Sequence, residues 1–132
     1  MHTVLVTGGF GLVGGRITRR LSDDFNVIVS SRRETTETLL AMHGHVKAVK
    51  HQDLLAKDTF PKNINTVIHL AALNVKECQQ QPSEAIRVNI DETRFTLENS
   101  MANDVNNFIY FSTNHVYGSP LRGTITEESP AL

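Results

Sequence analysis

The amino-terminal part of the chain reads Thr7-Gly8-Gly9-Phe10-Gly11-Leu12-Val13-Gly14, directly after an apolar run at residues 4–6. Residues 16–21 follow with helical spacing and contain no helix breaker. Between a strand and a helix, small residues let the backbone approach a pyrophosphate, and the new helix offers unpaired N–H groups and the positive end of its dipole. The stretch therefore predicts the start of a dinucleotide-binding fold. The alternative is a tight turn that binds no ligand.

Composition narrows the class of protein. The 132 residues suffice for one domain with a real core, which we assign to residues 1–132. The 13 Lys and Arg residues nearly balance the 14 Asp and Glu residues, so the net charge creates no strong positive electrostatic field that would favour binding to nucleic acid or to an anionic membrane. No apolar run or signal peptide points to a membrane or to secretion, and the single Cys78 fits a reducing compartment. We therefore expect a soluble, cytoplasmic domain without nucleic-acid or membrane partners.

Short apolar runs alternate with helical patterns along the chain. We predict strands at residues 2–7, 26–30, 46–49, 66–70 and 108–111, and helices after the glycines, at 34–42 and at 82–102, with Cys78 and residues 79–81 in a loop or first turn. Such alternation implies right-handed crossovers and a parallel sheet, most simply in the order 3-2-1-4-5. The predicted class is α/β, a Rossmann-type doubly wound parallel sheet.

Both longer helices carry apolar positions that predict their packing. In the first helix these are Leu12, Val13, Ile17 and Leu21. In the helix at 82–102, a seam recurs at Ile86, Ile90, Thr93, Leu97 and Met101, and Val88 and Phe95 mark a weaker stripe. A helix with two apolar sides often packs on a sheet and on a partner subunit. Together with an apolar edge strand at 108–111, this predicts a homo-oligomer.

The end of the second predicted strand bears on the choice of dinucleotide. Many dinucleotide folds place Asp or Glu there to accept hydrogen bonds from the ribose, whereas this chain has Ser30, Ser31, Arg32 and Arg33. Hydroxyl and guanidinium groups would bind a 2′-phosphate that a carboxylate would repel. The sequence therefore favours NADP over NAD, with a plain polar loop as the alternative. After the third strand, Asp53 could accept a hydrogen bond from the adenine amino group.

The histidines do not predict a metal site. His43, His45 and His51 lack carboxylate or cysteine ligands at a recognised spacing, so no metal is expected. His69 lies within an apolar run, which favours a core histidine over a catalytic base.

Five ordered motifs carry a family resemblance. They are the glycine turn, Asp53-Leu54, His69-Leu70-Ala71-Ala72, Val88-Asn89 and Ser112-Thr113 followed by Val116-Tyr117-Gly118. In this order and spacing the chain resembles the extended short-chain dehydrogenase/reductase family of NAD(P)-dependent nucleotide-sugar epimerases, dehydratases and reductases. The resemblance covers essentially the whole chain.

The resemblance implies a role for individual residues. Gly8, Gly11 and Gly14 would let the backbone run close to the pyrophosphate, and the backbone N–H groups of Phe10 and Leu12 would donate hydrogen bonds to it. Asp53 and Leu54 would flank the adenine. Ala71, Ala72 and Leu73 would line the nicotinamide ribose side, and Leu70 would also be part of the cofactor site. Asn89 would support the loop after strand four. Thr113 would hydrogen-bond the sugar hydroxyl or keto oxygen, with a strand-end cap as the alternative. Glu92 stands where the family usually has glycine, and Asn114-His115 disfavours the elimination chemistry of the dehydratases.

One family motif is not found in these 132 residues. The family's proton donor is a tyrosine with a lysine four residues later, but Tyr110 and Tyr117 are followed at that spacing by Asn114 and Leu121. We therefore expect the amino-terminal part of a longer enzyme, lacking the later strands and the substrate lobe, that acts on a nucleotide sugar when intact and is inactive alone. A non-catalytic dinucleotide-sensing or interaction module is the alternative. A flavin or S-adenosylmethionine site has no support beyond the glycines.

Overall fold

The computed structural model describes residues 1–32, 46–118 and 120–132. The helix predicted at 34–42, Arg33, His43 and His45 lie outside the described residues. The described residues form a five-stranded parallel sheet in the order β3-β2-β1-β4-β5. The strands are β1 (Thr3–Thr7), β2 (Asn26–Ser31), β3 (Lys47–Lys50), β4 (Thr66–His69) and β5 (Asn107–Tyr110). The predicted class and strand order are confirmed.

The central strand β1 explains why the sheet is covered on both sides. Val4 and Val6 belong to one buried cluster, with Val27, Val29 and Val46. Leu5 belongs to a second cluster, with Leu54, Phe60, Ile64 and Val67. Because successive strand residues point to opposite faces, a continuous apolar run supplies both clusters. Burial of each such side chain stabilises the fold by roughly 1.5–3 kcal/mol.

The helical segments of the described chain connect these strands. They are α1 (Leu12–Leu21), α2 (Val75–Gln80), α3 (Pro82–Ile86), a π-helical turn (Arg87–Glu92) and α4 (Thr93–Ala102), with 3₁₀ turns at His51–Leu55 and Asn114–Tyr117. The prediction that Cys78 and the next two residues lie in a loop or first turn is wrong, because α2 contains them. Asn74 and Glu77 form a capping box that starts this helix.

Of the two predicted apolar sides of the long helical stretch, the buried one contains Val88 of the weaker stripe. Its buried residues are Val88, Glu92, Thr96 and Ser100, whereas Ile86, Ile90, Leu97 and Met101 of the predicted seam are 39–70% exposed. Polar residues can occupy the buried row because their hydroxyls donate to carbonyls one turn back, from Thr96 to Glu92 and from Ser100 to Thr96. The π-helical turn also breaks the 3.6-residue period on which the seam was based.

The prediction that Leu12 and Val13 share the buried face of α1 is wrong. Leu12 is 78% exposed and Val13 is 51% exposed, while Gly14, Gly15 and Thr18 are buried. The buried side of α1 therefore consists of small residues, which let the helix lie close to the sheet. Among the described helices, none is both long enough and apolar enough to span a bilayer.

Candidate functional site

A cleft of about 870 Å³ opens beyond the carboxyl ends of β1, β4 and β5. Three segments line it: the glycine turn with the start of α1, the loop after β4, and the segment after β5. The strand order reverses direction between β1 and β4, and such a switch point is where ligands bind in open α/β sheets.

The glycine turn is held by its own backbone and by contacts that exclude a side chain. Gly8 has a φ of +66°, a conformation that favours glycine, and its carbonyl accepts from the N–H of Gly11 at 2.9 Å. A Cβ on Gly14 would lie only 2.2 Å from that same Gly8 oxygen. The turn and the first turn of α1 are therefore in direct backbone contact.

The amino end of α1 is suited to an anion. Its N-cap, Gly11, makes no side-chain capping hydrogen bond, and the first turn contains no acidic residue. The first N–H groups of a helix have no partner within the helix, and the dipole adds partial positive charge at this end. Leu12, Val13 and Gly14 line the cleft here. This end can therefore bind phosphate oxygens through backbone N–H groups.

The loop after β4 lies against the glycine turn. A Cβ on Gly8 would meet the backbone nitrogen of Ala71 at 3.2 Å. The hydroxyl of Thr7 accepts from the N–H groups of both Leu70 and Ala71, each at 3.0 Å. The two cleft-lining segments are thus fixed relative to each other by one side chain at the end of β1.

Asn89 fixes the next part of the same loop. Its Oδ1 accepts from the N–H of Leu73 at 2.7 Å, and its Nδ2 donates to the Leu73 carbonyl at 3.3 Å. Nδ2 also approaches Sγ of Cys78 at 3.5 Å. This two-point contact matches the loop-supporting role that the resemblance implies for Asn89.

The structure brings most of the predicted site residues to the cleft. Those that line it are Gly8, Gly11, Leu12, Gly14, Leu70, Ala71, Ala72, Asn89 and Thr113. Phe10 is partly buried and packs against the cluster around Val4, so its ring does not close the turn. Leu54 is fully buried in the second cluster and does not line the cleft, so its place beside the adenine stays a prediction.

Ser31 and Arg32 lie at the end of β2, outside the lining of the cleft, and Arg33 lies outside the described residues. Arg32 is exposed. The pKa of His51 is lowered chiefly by burial and that of Glu84 by its hydrogen bond with Arg87, and the positive charge of Arg32 adds a smaller contribution to each. Asp53 is partly exposed in the 3₁₀ turn that follows β3.

A buried polar group joins that 3₁₀ turn to the π-helical turn. Nε2 of His51 lies 2.9 Å from Oε2 of Glu92, and the side chains are 2% and 5% exposed. Arg87 pairs with the other Glu92 oxygen and with Glu84. Burial lowers the pKa of His51, although the Glu92 carboxylate opposes that shift. At this position, where the family usually has glycine, Glu92 therefore makes a buried polar contact with His51 and Arg87.

Thr113 stands at the cleft-facing end of the segment after β5. It is exposed, and its Oγ1 accepts from the N–H of His115 at 3.3 Å, which caps the 3₁₀ turn at Asn114–Tyr117. The side chain is therefore both a cap and a hydroxyl at the cleft.

His69 lies in the core, as predicted, and is 2% exposed. Burial, with repulsion from His51, lowers its pKa to about 4. Two polar neighbours of this ring, Thr7 and Thr93, were missed, because threonines within apolar runs resemble ordinary core residues. In the described part of the chain, no group of three or more His, Cys, Asp or Glu side chains could hold a metal ion.

Comparison with known proteins gives a consistent result. The model of the family described as NAD dependent epimerase/dehydratase matches residues 4–131. UDP-glucose 4-epimerase uge1 of Schizosaccharomyces pombe is 35% identical over 138 residues, covering 93% of this chain and 39% of that protein. UDP-glucose 4-epimerase of Halalkalibacterium halodurans is 30% identical, covering 98% of this chain and 40% of that protein. The chain thus spans about two fifths of the length of these relatives.

Solved structures show the same likeness in three dimensions. MoeE5 in complex with UDP-glucuronic acid and NAD superposes with a TM-score of 0.81 at 30% identity, covering 98% of this chain and 42% of that one. UDP-glucose 4-epimerase from Bifidobacterium longum, in complex with NAD⁺ and UDP, gives 0.82 at 29% identity, covering 98% and 42%. These related structures contain NAD.

Proposed function

The chain belongs to the NAD dependent epimerase/dehydratase family, and from that premise we propose that residues 1–132 form the dinucleotide-binding part of a nucleotide-sugar epimerase or reductase that acts by hydride transfer. UDP-glucuronic acid accompanies NAD in the related MoeE5 structure, which supports this substrate class. The chain spans about two fifths of its relatives, so substrate and reaction belong to the proposal.

One observation carries the proposal: the uncapped amino end of α1 lies over a turn with almost no side chains. Gly8 and Gly11 line the cleft, and Gly14 permits contact between helix and turn. The pyrophosphate would lie against the N–H groups at this end, without an acidic residue to repel it. The loop after β4 lines the opposite side of the cleft.

At the other end of the cleft, Thr113 is proposed to act on the substrate. A bound nicotinamide supplies the hydride acceptor and donor. Since Oγ1 of Thr113 already accepts from the His115 N–H, its own proton remains available for a sugar hydroxyl or keto oxygen. Leu70, Ala71 and Ala72 would line the nicotinamide ribose side between these two positions.

The dinucleotide proposed is NADP, with NAD as the alternative that the related structures support. Ser31 and the exposed Arg32 at the end of β2 support a 2′-phosphate, because no carboxylate occupies residues 30–32. Asp53 is proposed as the acceptor for the adenine amino group.

A second copy of the chain is proposed as a partner, at the exposed seam of Ile86, Ile90, Leu97 and Met101. Monomeric proteins rarely expose a contiguous row of this kind. The single Cys78 supports a reducing, cytoplasmic compartment, and the nearly balanced charge supports the absence of nucleic-acid or membrane partners.

A second candidate function is a dinucleotide-sensing or interaction module that performs no chemistry. It is favoured by one observation, that neither Tyr110 nor Tyr117 has a lysine four residues later. On either reading, we propose that these 132 residues bind the dinucleotide and do not turn over a nucleotide sugar on their own.

The test is a titration with NADPH and NADH, followed by nicotinamide fluorescence. We expect saturable binding, and a preference for NADPH that Arg32→Asp removes; hydrogen bonds to a charged group are worth about 1.5–3 kcal/mol, which corresponds to tenfold or more in affinity. Arg94→Asp makes the same charge change on an exposed arginine of α4 and should leave the preference intact. Failure of both dinucleotides to bind would refute the function, and a preference insensitive to Arg32→Asp would refute only the phosphate role.

A further inference from the structure

His69 lies at the end of β4 between two threonine hydroxyls. Its Nδ1 is 3.0 Å from Oγ1 of Thr7, and its Nε2 is 3.0 Å from Oγ1 of Thr93. The ring is almost completely buried, and the rings of Phe108 and Tyr110 are stacked near it. Both nitrogens therefore have a polar partner inside the core.

The heavy-atom contacts determine where each hydrogen lies. Oγ1 of Thr7 accepts from the N–H groups of Leu70 and Ala71, which uses both lone pairs of the hydroxyl. The single proton of Thr7 must then be donated to Nδ1 of His69. A neutral imidazole has one acceptor and one donor, so the ring proton is on Nε2.

The same reasoning continues beyond the ring. Nε2–H of His69 donates to Oγ1 of Thr93, and the Thr93 hydroxyl donates to the carbonyl of Asn89 at 3.0 Å. Asn89 in turn holds both the N–H and the carbonyl of Leu73. Directed hydrogen bonds therefore run from the start of the loop after β4, through His69, to the main chain of Asn89, and the side chain of the same residue holds the end of that loop.

We propose that His69, as its Nε2–H tautomer, is a positioning residue for dinucleotide binding, because it holds the loop at residues 70–73 through Thr7 at one end and Asn89 at the other. The inference rests on the proposed function, in which this loop lines the nicotinamide ribose side. His69 itself does not touch substrate in this assignment, since its two nitrogens are occupied by the threonines.

Protonation of the ring would break this arrangement. An imidazolium has two donors, so Nδ1–H would meet the Thr7 proton, and Thr7 could take up the new hydrogen bond only by giving up the N–H of Leu70 or Ala71. The titratable groups that face the ring are His51 and, on β5, Tyr110. Neither supplies a carboxylate that would stabilise the charged form, so the ring stays neutral well below pH 6.5.

The test uses two matched threonine variants of the same helix. Thr93→Val removes the hydroxyl that links His69 to the main chain of Asn89 and keeps the size of this cleft-lining side chain. Thr96→Val makes the same change at a buried threonine whose hydroxyl donates to the Glu92 carbonyl and which does not line the cleft. We expect Thr93→Val to weaken NADH and NADPH binding about tenfold and Thr96→Val to change it less than twofold. Equal effects of the two variants would overturn the inference.

A second readout reports the tautomer directly. Imidazole ¹H–¹⁵N spectra of the full chain should show His69 neutral with its proton on Nε2 at pH 7. The amide signals of Leu70 and Ala71 should titrate together with the ring at low pH. A proton on Nδ1, or a ring that titrates near pH 6.5, would overturn the inference.

The two readouts separate this inference from the proposed function. If the wild-type chain binds no dinucleotide, the proposed function fails, and the positioning role for binding fails with it, whatever the ring spectra show. If the chain binds and Thr93→Val binds as well as Thr96→Val, only the positioning role fails.

Discussion

Replacement of Gly14 by alanine probes the contact on which the dinucleotide site depends. The added Cβ would lie 2.2 Å from the Gly8 carbonyl oxygen, 2.9 Å from its carbon and 3.0 Å from Cα of Gly9. The first distance is short of ordinary contact by about 1 Å. All three neighbours are backbone atoms, so the clash cannot be relieved by rotating a side chain.

The expected cost follows from this geometry. Overpacking of a well-packed site costs about 1–3 kcal/mol, and we expect Gly14→Ala to lower the free energy of unfolding by about 2–3 kcal/mol. Helix propensity alone would stabilise the variant by roughly 1 kcal/mol, so the two effects differ in sign. Because Gly8 also accepts from the Gly11 N–H and lies against Ala71, its displacement should weaken dinucleotide binding by more than tenfold.

Urea denaturation followed by circular dichroism measures the stability, and nicotinamide fluorescence measures the binding. Gly11→Ala is the matched control for the stability measurement only, because Gly11 itself lines the cleft. Gly11 has ordinary dihedral angles, and a Cβ there would lie 3.2 Å from the Gly8 oxygen. We expect this control to lose about 1 kcal/mol or less. Equal losses for the two variants, or a more stable Gly14→Ala protein, would refute the reasoning.

Three further predictions concern other parts of the chain. The pKa of His69 falls from 6.5 to about 4 on folding, so the unfolded chain binds more protons than the folded chain between these pH values. The free energy of unfolding should therefore be at its full value above pH 6.5 and fall by about 3 kcal/mol as the pH drops to 4. Denaturant titrations at several pH values should find this dependence reduced in His69→Asn. Glu92→Gln should cost about 1–3 kcal/mol, because His51 and Arg87 lose a buried carboxylate, whereas the exposed Glu98→Gln should cost almost nothing in the same assay. Ile90→Asp, at a residue 59% exposed, should convert a dimer or larger species to monomer in light scattering; a wild-type chain that is monomeric at high concentration would contradict the proposed partner.

The strands and their order could be predicted because buried parallel strands form continuous apolar runs. The runs at residues 4–6 and 66–70 are too short for buried helices, which favours buried strands. The glycine spacing likewise predicted the turn, since few sequences allow a helix to touch a loop through backbone atoms alone. Each of these features depends on residues that are close together in the sequence.

The helix faces could not be read from apolar spacing alone. In the stretch 82–102, Thr96 and Ser100 are buried because their hydroxyls bond to the helix itself, and the exposed row is the apolar one. The polar links around His69 were also missed, because they join residues far apart in the sequence: Thr7 and His69 are 62 positions apart, and His69 and Thr93 are 24 apart. Only the fold brings such partners together.

The most direct test of the account is a titration of the ¹⁵N-labelled chain with NADP⁺ and NAD⁺, followed by amide spectra. The account predicts saturable shifts that are largest at residues 11–14, at the amino end of α1, and at residues 70–73. A second cleft, lined by Met1, Thr3, Asn103 and Asn106, lies at the amino ends of the strands and serves as an internal comparison. Saturable shifts at that second cleft, with none at residues 11–14, would contradict the account.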